Sequence, residues 1–475
     1  MKYLITYIIV FSLVLAQCKP KLDEFRPKQG GEVNFENYLA IGNSITAGFT
    51  NGALYKEGQE YSFSNIVAQQ LTSVGRKGNF KQPILDFSNG ISANLINNKL
   101  VLGTKFILKP TVNCIGTPGL APQLIDPMPD QKELLGILTQ NISDQGPFDN
   151  QAVPGMKLID MFDKNFGQKN PFFGRIIKNP TSDNAVSIIR EAKPSFFTCF
   201  VGNDDALLYA VSGGTSNFIT PLEGDVGIGY KKSYLALIDT LKKAGNYKDQ
   251  MTGAIFKIPE LTLIPYFTTI PYNVLTIPRK GLADSLNAAY ARYNFVMDSL
   301  KLNYKIQFQQ GANPVVIEDP TIPLPESLKK FSFRQITSEE KLLLTLPTDS
   351  LLCANWGSTI PIKDVYTLRK STLNEINSAI EQYNKVIEDI AQKENLALVD
   401  INKLLLSAAT TGFTVDGIFF SSKFITGNLF SLDGVHLTPQ GNAILAKEVI
   451  KTINEKYGSS IPYPPIGLYP GLKYP

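Results

Sequence analysis

The chain has 475 residues, of which 43% are hydrophobic and 19% charged, a balance that excludes a disordered, collagenous or coiled-coil protein. Lys and Arg number 46 against 42 Asp and Glu, so the formal charge is only +4; with no long basic run, this argues against nucleic acid as a partner. One histidine in the whole sequence excludes a multi-histidine metal site, and the four cysteines are too far apart to form a zinc-like pair, so neither a metal nor another cofactor is expected.

At the N-terminus, Lys2 precedes an apolar stretch from Tyr3 to Leu15 that is too short to span a bilayer comfortably and stands where a secretory signal belongs. It ends in Leu15, Ala16, Gln17 and Cys18, which resembles the lipobox of bacterial lipoproteins. That resemblance implies a signal peptide over residues 1–17, a lipidated Cys18 and attachment to a membrane of the bacterial cell envelope, with the outer membrane as the expected one. Gln17 stands where a small residue is usual, which leaves a plain cleaved signal and a periplasmic or secreted protein as the alternative. Residues 18–36 are polar, contain Pro and Gly and lack any period, as in a tether. The body is expected to start near Asn37 and to run as a single domain over 37–475. An exported chain permits disulfides. Cys199, inside an apolar run, reads as a small buried side chain. Cys114 and Cys353 both lie in loop-like sequence, and spacing alone does not say whether they pair.

In chain order, four short apolar runs read as strands: Tyr38 to Ser44, Ser195 to Gly202, Ala254 to Pro265 and Leu396 to Asn402. Their lack of alternation predicts burial on both faces, as in a parallel sheet. Three helices stand out. Lys231 to Ala244 places Tyr234, Leu237, Ile238 and Leu241 on one side, with Gly245 to stop it; Ser371 to Glu394 repeats Leu373, Ile376, Ile380, Tyr383, Ile387 and Ile390 at three- and four-residue steps. The last, Pro439 to Tyr457, has Thr438 as N-cap, Pro at its first position and Gly458 beyond its end. Strand followed by helix, repeated, predicts an α/β protein, a three-layer α/β/α sandwich around a mainly parallel sheet. The stretches near 75–141 and 271–363, rich in Pro, Gly and Asn, read as long insertions on the central sheet without a core of their own, with a small accessory lobe as the alternative, and the Pro-rich tail reads as an extended surface segment.

Ser44 lies where the first strand gives way to a Gly-containing turn, the place that exposes a nucleophile at the carboxyl edge of a parallel sheet. Taken alone it is better read as a turn serine capping the next helix. Near the other end of the chain, Asp433 precedes His436 by three residues on a short turn, a spacing that lets the carboxylate hold the Nδ1 proton and leaves Nε2 to take one from a serine hydroxyl.

With these residues in view, the sequence resembles the SGNH, or GDSL, hydrolase family. Gly42, Asn43, Ser44, Ile45, Thr46, Ala47 and Gly48 resemble its first block, Asn150 to Leu158 with Gly155 its second, Phe200 to Ala210 its third, and Asp433 with His436 its last. The resemblance implies Ser44 as nucleophile, His436 as general base and then acid, and Asp433 as the orienting carboxylate. It implies an oxyanion hole made from the backbone N–H groups of Ser44 and Gly155 and a side-chain amide of the third block. Asn43 replaces the usual aspartate beside the nucleophile. In the third block the family's asparagine position, counted from Gly202, falls on Asp204, while the nearby amide belongs to Asn203. Either the loop shifts to aim Asn203 inward, or Asp204 is held protonated, or backbone donors act alone. The function implied is that of a serine esterase or acylhydrolase acting on a small-molecule, glycan or lipid ester. The alternative is a non-catalytic envelope binding protein that uses the same cleft for a glycan or lipid.

Overall fold

The computed structural model describes residues 29–96, 99–247 and 250–475; the signal segment 1–17 and Cys18 lie outside the described residues. Tyr38–Gly42 forms the first strand, β1, buried at all five positions, and it leads through Asn43 into the single-turn helix Ser44–Ala47, α1. The helix Phe63–Leu71, α2, starts where Ser62 Oγ accepts the Asn65 N–H at 3.2 Å. Ala185–Ala192, α3, is opened by a reciprocal cap between Asn184 and Ser187. The second fully buried strand, Phe196–Phe200 or β2, feeds Asp204–Val211, α4. Then follow Tyr230–Ala244 (α5), Gly253–Phe256 (β3), Lys280–Ser299 (α6), Lys370–Lys393 (α7), Ala397–Val399 (β4) and Pro439–Tyr457 (α8).

The protein is of mixed α/β class with a central parallel sheet of four strands in the order β1-β2-β3-β4. Tyr38 pairs with Phe196, Thr198 with Ala254 and Ala397 with Ala254, all parallel. Strands that run the same way need long crossovers, and these are where the helices lie. Outside β1, residues 149–153 add a fifth parallel line without regular pairing: Ala40 N–H donates to Asp149 O at 2.8 Å, Gln151 N–H to Ala40 O at 2.9 Å and Val153 N–H to Gly42 O at 3.1 Å. The carboxyl end of β1 is therefore flanked by the Val153 segment on one side and by the end of β2 on the other.

All four predicted strands are present and belong to this one sheet. The third is much shorter than its apolar run, because after Phe256 only the Lys257 amide still reaches the neighbouring strand, at Val399 O, before Pro259 removes the next donor. The three predicted helices form within one residue of their expected ends. Thr438 Oγ1 accepts the Gly441 N–H at 2.9 Å, and Gly458, at φ +63°, closes α8. Helix α8 packs on α2 and β4, α7 on α4, α5, β3 and β4, and α5 on α3. Phe200 and Phe256 stack at 4.5 Å with Phe63 against them, and burying each such ring stabilises the fold by about 2 kcal/mol. The Pro-rich tail lies along the surface, anchored by the buried Ile466, whose N–H donates to Asp416 Oδ2.

The insertions are more ordered than their composition predicts. The first carries the hairpins Ser92–Ile96 with Lys99–Gly103 and Phe106–Val112 with Pro118–Leu124, and then the helix Gln131–Thr139. The second does have apolar cores of its own, against expectation. One gathers Ile277, Tyr290, Tyr293, Met297, Phe308 and Val316 around α6, and a neighbouring one gathers Val315, Ile317, Ile336, Leu342 and Ile362. It also holds a buried ion network in which Arg334 spans Asp319 (2.7 Å) and, bidentately, Glu340 (2.7 and 2.6 Å). Cys199 is free and buried, whereas Cys114 and Cys353 are disulfide-bonded. Cys114 lies in the turn of the Phe106–Leu124 hairpin and Cys353 ends the helix Thr348–Cys353, so the bond ties the first insertion to the second across 239 residues.

A cross-link closing so long a loop restricts the unfolded chain, by up to about 5 kcal/mol in the loop-entropy account. The double variant C114S/C353S is therefore expected to melt several degrees below the wild type in a calorimetric scan. An unchanged midpoint would show that the insertions are held together without the bond.

Candidate active site

Three chain segments meet at the carboxyl end of β1. The first is the turn itself. Gly42 has to be glycine, since a Cβ there would stand 2.0 Å from Thr46 Oγ1 and 3.0 Å from Phe200 O. Asn43 takes a non-helical conformation, and Ser44 opens α1 as its first residue, 7% exposed. Ala47 N–H donates to Asn43 O and Phe49 N–H to Ser44 O, both at 2.9 Å, so the turn is closed by its own backbone.

The second segment is the 431–438 turn. Asp433 Oδ2 accepts from His436 Nδ1 at 2.9 Å, and Oδ1 accepts the backbone N–H groups of Val435 (2.9 Å) and His436 (2.8 Å) and the Ser431 hydroxyl (3.1 Å). Gly52 N–H donates to Oδ2 at 2.7 Å. Burial works to raise this carboxyl's pKa, but the His436 ring beside it and the two turn N–H groups outweigh burial and hold it well below the usual carboxylate range. Both side chains are nearly enclosed, His436 at 13% and Asp433 at 10% exposure, and Phe49 packs on the imidazole with ring centroids 4.8 Å apart.

The loop that follows α1 joins these two segments. Thr50 Oγ1 donates to Leu437 O at 2.9 Å, Asn51 N–H to Ser431 Oγ at 3.0 Å and Leu432 N–H to Asn51 Oδ1 at 3.1 Å, with Gly52 on Asp433 completing the set. Ser44 and His436 thus stand on two pieces bolted to each other, with Phe49 between. Among the described residues, no hydrogen bond joins Ser44 Oγ to His436. The sequence reading missed Phe49, Asn51, Gly52 and Ser431. The Asn51-Gly52 dipeptide is a turn signal, and both residues have positive φ, +51° and +76°.

The third segment pairs residues of the second and third blocks. Gly155, at φ +74°, follows the line of residues 149–153 along β1. Asn203, 2% exposed, leads into α4 and its Oδ1 accepts from Asn43 Nδ2 at 2.7 Å, so its own Nδ2 is left to donate elsewhere. Its one partner there is Asp204 Oδ1, at 3.5 Å. Asp204 is the first residue of α4 and is buried next to Asp205, Asp160 and Lys157; burial and these neighbouring carboxylates push its acid group well above the ordinary range. Of the two third-block residues, Asn203 is therefore the one tied to the Ser44 turn. Asp205, fully buried, is pushed up to about 7, mainly by burial, while its Oδ2 accepts the Leu158 N–H at 2.7 Å.

No group of three or more His, Cys, Asp or Glu among the described residues could hold a metal ion, and no helix among them is long and apolar enough to cross a membrane. Compared with models of protein families, with curated proteins and with solved structures, the chain matches none. Chemically, the arrangement offers an imidazole with its tautomer fixed by a buried carboxylate, a serine at the mouth of a strand-to-helix turn, and amide donors on two flanking segments.

Removing the carboxylate leaves the Gly52 and Val435 N–H groups without an acceptor, so Asp433→Ala is expected to lower stability by about 3 kcal/mol at pH 7. The folded-state pKa lies below the unfolded value of about 3.9, so this stabilisation is fully present above that value and disappears as the pH falls through the folded one. Denaturant titrations at pH 7 and pH 3 should show the gap between wild type and variant narrowing in acid; an equal gap would remove the ionised Asp433 from the account.

Proposed function

We propose that the chain is a serine ester hydrolase of the SGNH type, built as a three-layer α/β/α sandwich and carried on the bacterial cell envelope by a lipid on Cys18. The observation that carries this reading is the 2.9 Å bond from His436 Nδ1 to Asp433 Oδ2, on a turn that the Ser44 loop itself holds through Gly52. The nearly enclosed carboxylate fixes the imidazole so that Nε2 is the free base. Ser44 Oγ attacks the ester carbonyl and gives its proton to His436 Nε2. The negative oxygen that forms is met by the N–H groups of Ser44 and Gly155 and by Asn203 Nδ2, the donor left over once Asn43 has taken up the other end of that amide. Collapse breaks the bond to the leaving alcohol, which receives the proton from His436. Water then repeats the sequence on the acyl-enzyme and releases the acid.

Asp204 has no donor role in this scheme unless it is protonated, because a carboxylate repels a developing oxyanion. The substrate is an ester of a small molecule, glycan or lipid at the envelope, with no cofactor called for. A second reading, a binding protein that uses the same cleft for a glycan or lipid, is favoured by one specific observation: the missing hydrogen bond between Ser44 Oγ and His436. Catalytic bonds of this kind often tighten only when substrate is bound, which is why the hydrolase reading is preferred.

The test is mass spectrometry of the intact body after incubation with a fluorophosphonate. The wild type should gain one adduct that S44A and H436A do not. Turnover of 4-nitrophenyl acetate should vanish in S44A and fall by on the order of 100-fold in N203A, as loss of one oxyanion donor does elsewhere. A folded wild type with no adduct would favour the binding protein.

A further inference from the structure

The candidate oxyanion donors lie on two separate pieces of chain, Gly155 on the segment beside β1 and Asn203 at the start of α4, and a hole works only if their spacing is fixed. The Gly155 segment is held upstream, where Val153 N–H donates to Gly42 O at 3.1 Å and Pro154 O accepts from Asn170 Nδ2 at 2.8 Å. Around Gly155 itself there is little support: a Cβ built there would meet only Asn170 Nδ2, at 3.9 Å. Downstream, two carboxylates take the next free amides. Lys157 N–H donates to Asp160 Oδ2 at 2.9 Å, within the same segment, and Leu158 N–H donates to Asp205 Oδ2 at 2.7 Å. Of these two bonds, the second crosses to another element, α4, two residues beyond Asn203.

The choice of side chain at 205 is costly. Asp205 is fully buried, and although the neighbouring Thr220 hydroxyl and the Leu158 amide favour its charged form, burial outweighs them and pushes the acid group up to about 7, a desolvation that an apolar residue of the same shape would avoid. Besides Thr220 it faces Asp204 on its own helix, Asp160 and Lys157 on the held segment, and Tyr230 of α5 and Tyr383 of α7. Of these neighbours Lys157 and Thr220 favour the charged carboxylate, and burial together with the Asp160 carboxylate outweighs them. A net desolvation cost does not explain an aspartate here, whereas the bond to Leu158, which ties α4 to the Gly155 segment, does.

We propose that Asp205 is a positioning residue: through the Leu158 amide it fixes the Gly155 segment against α4, so that the Gly155 N–H and Asn203 Nδ2 converge on one oxyanion. This rests on the ester hydrolase reading above. Among the described residues no hydrogen bond joins Asp205 to Ser44, and its removal should misplace a donor without removing one.

The experiment compares wild type with D205N, D205A and D205L, on 4-nitrophenyl acetate, with thermal midpoints measured alongside. D205N keeps an acceptor for Leu158 and should retain kcat within about threefold. D205A and D205L should lose on the order of 10- to 100-fold in kcat with KM nearly unchanged, the size expected for a misplaced catalytic group. D205L should do so while keeping a thermal midpoint close to wild type, a split that a merely structural role does not produce. Amide exchange at Leu158 should quicken in D205A and D205L and stay slow in D205N. If the wild type takes up a fluorophosphonate on Ser44 while D205L matches its kcat, the positioning role is overturned and the hydrolase reading stands. The positioning role is overturned equally if both apolar variants fail to fold, which would assign Asp205 to stability. If the wild type takes up no fluorophosphonate, the hydrolase reading falls and the positioning role with it.

Discussion

The Asp433 carboxylate is the constraint around which the site is arranged. It is nearly enclosed, yet it accepts five hydrogen bonds, and one of them comes from Gly52, on a segment 381 residues away in the chain. An ionised carboxylate survives such burial only when its lone pairs are met by well-aimed donors. The donors therefore have to be where they are, and this fixes the Asn51-Gly52 turn, the 431–438 turn and the imidazole with respect to each other. Because the Asn51-Gly52 turn begins only a few residues after α1, the same bonds that ionise Asp433 also set where Ser44 stands relative to His436.

The parallel sheet supplies the other half of the arrangement. Each strand of such a sheet ends at the same edge, so loops far apart in sequence are delivered side by side. Gly42 is in register with Phe200, which brings Asn43 within 2.7 Å of Asn203 although 160 residues separate them. The Val153 line adds Gly155 from the far side of β1. Neither the pairing of strands nor the added line required special residues; the glycine at 42 is what permits the close approach, since any side chain there would collide with Thr46.

This explains which parts could be read in the sequence. Strands buried on both faces leave runs such as Tyr38 to Gly42 that no surface element imitates, and α7 and α8 carry their stripes and caps openly. Asp433 and His436 are legible because their bond is local, three residues apart. Gly52 and Ser431 are not, because their part in the site depends on a contact that only the closed fold creates. The insertions were hidden for a different reason. In α6 the buried positions Ala283, Tyr290, Tyr293 and Met297, with Leu286 beside them, do follow three- and four-residue steps, but aromatic and small residues share that stripe with polar neighbours and dilute it. The Phe106–Leu124 hairpin is largely exposed along one strand and mixed along the other, so it never shows the alternation by which a half-buried strand is recognised.

Asn43 gives the third block its direction. At this position an ionised aspartate would only accept hydrogen bonds, and it would draw the NH₂ end of Asn203 towards itself. The amide of Asn43 instead donates to Asn203 Oδ1, which turns the NH₂ end of Asn203 away from Asn43. The arrangement has a cost, since Asn43 Oδ1 is buried with no partner. On the proposed reading that cost is offset by the freed NH₂ end of Asn203, which serves as the oxyanion donor, and the departure from the family pattern follows from the chemistry of one amide. A carboxylate next in sequence, Asp204, then has to be kept out of the way, and burial beside the Asp205 and Asp160 carboxylates does so by disfavouring its charged form, against the pull of Lys157. Burial first, and then the same acidic cluster that through Asp205 holds the Gly155 segment, thus work against a charged Asp204 beside the site.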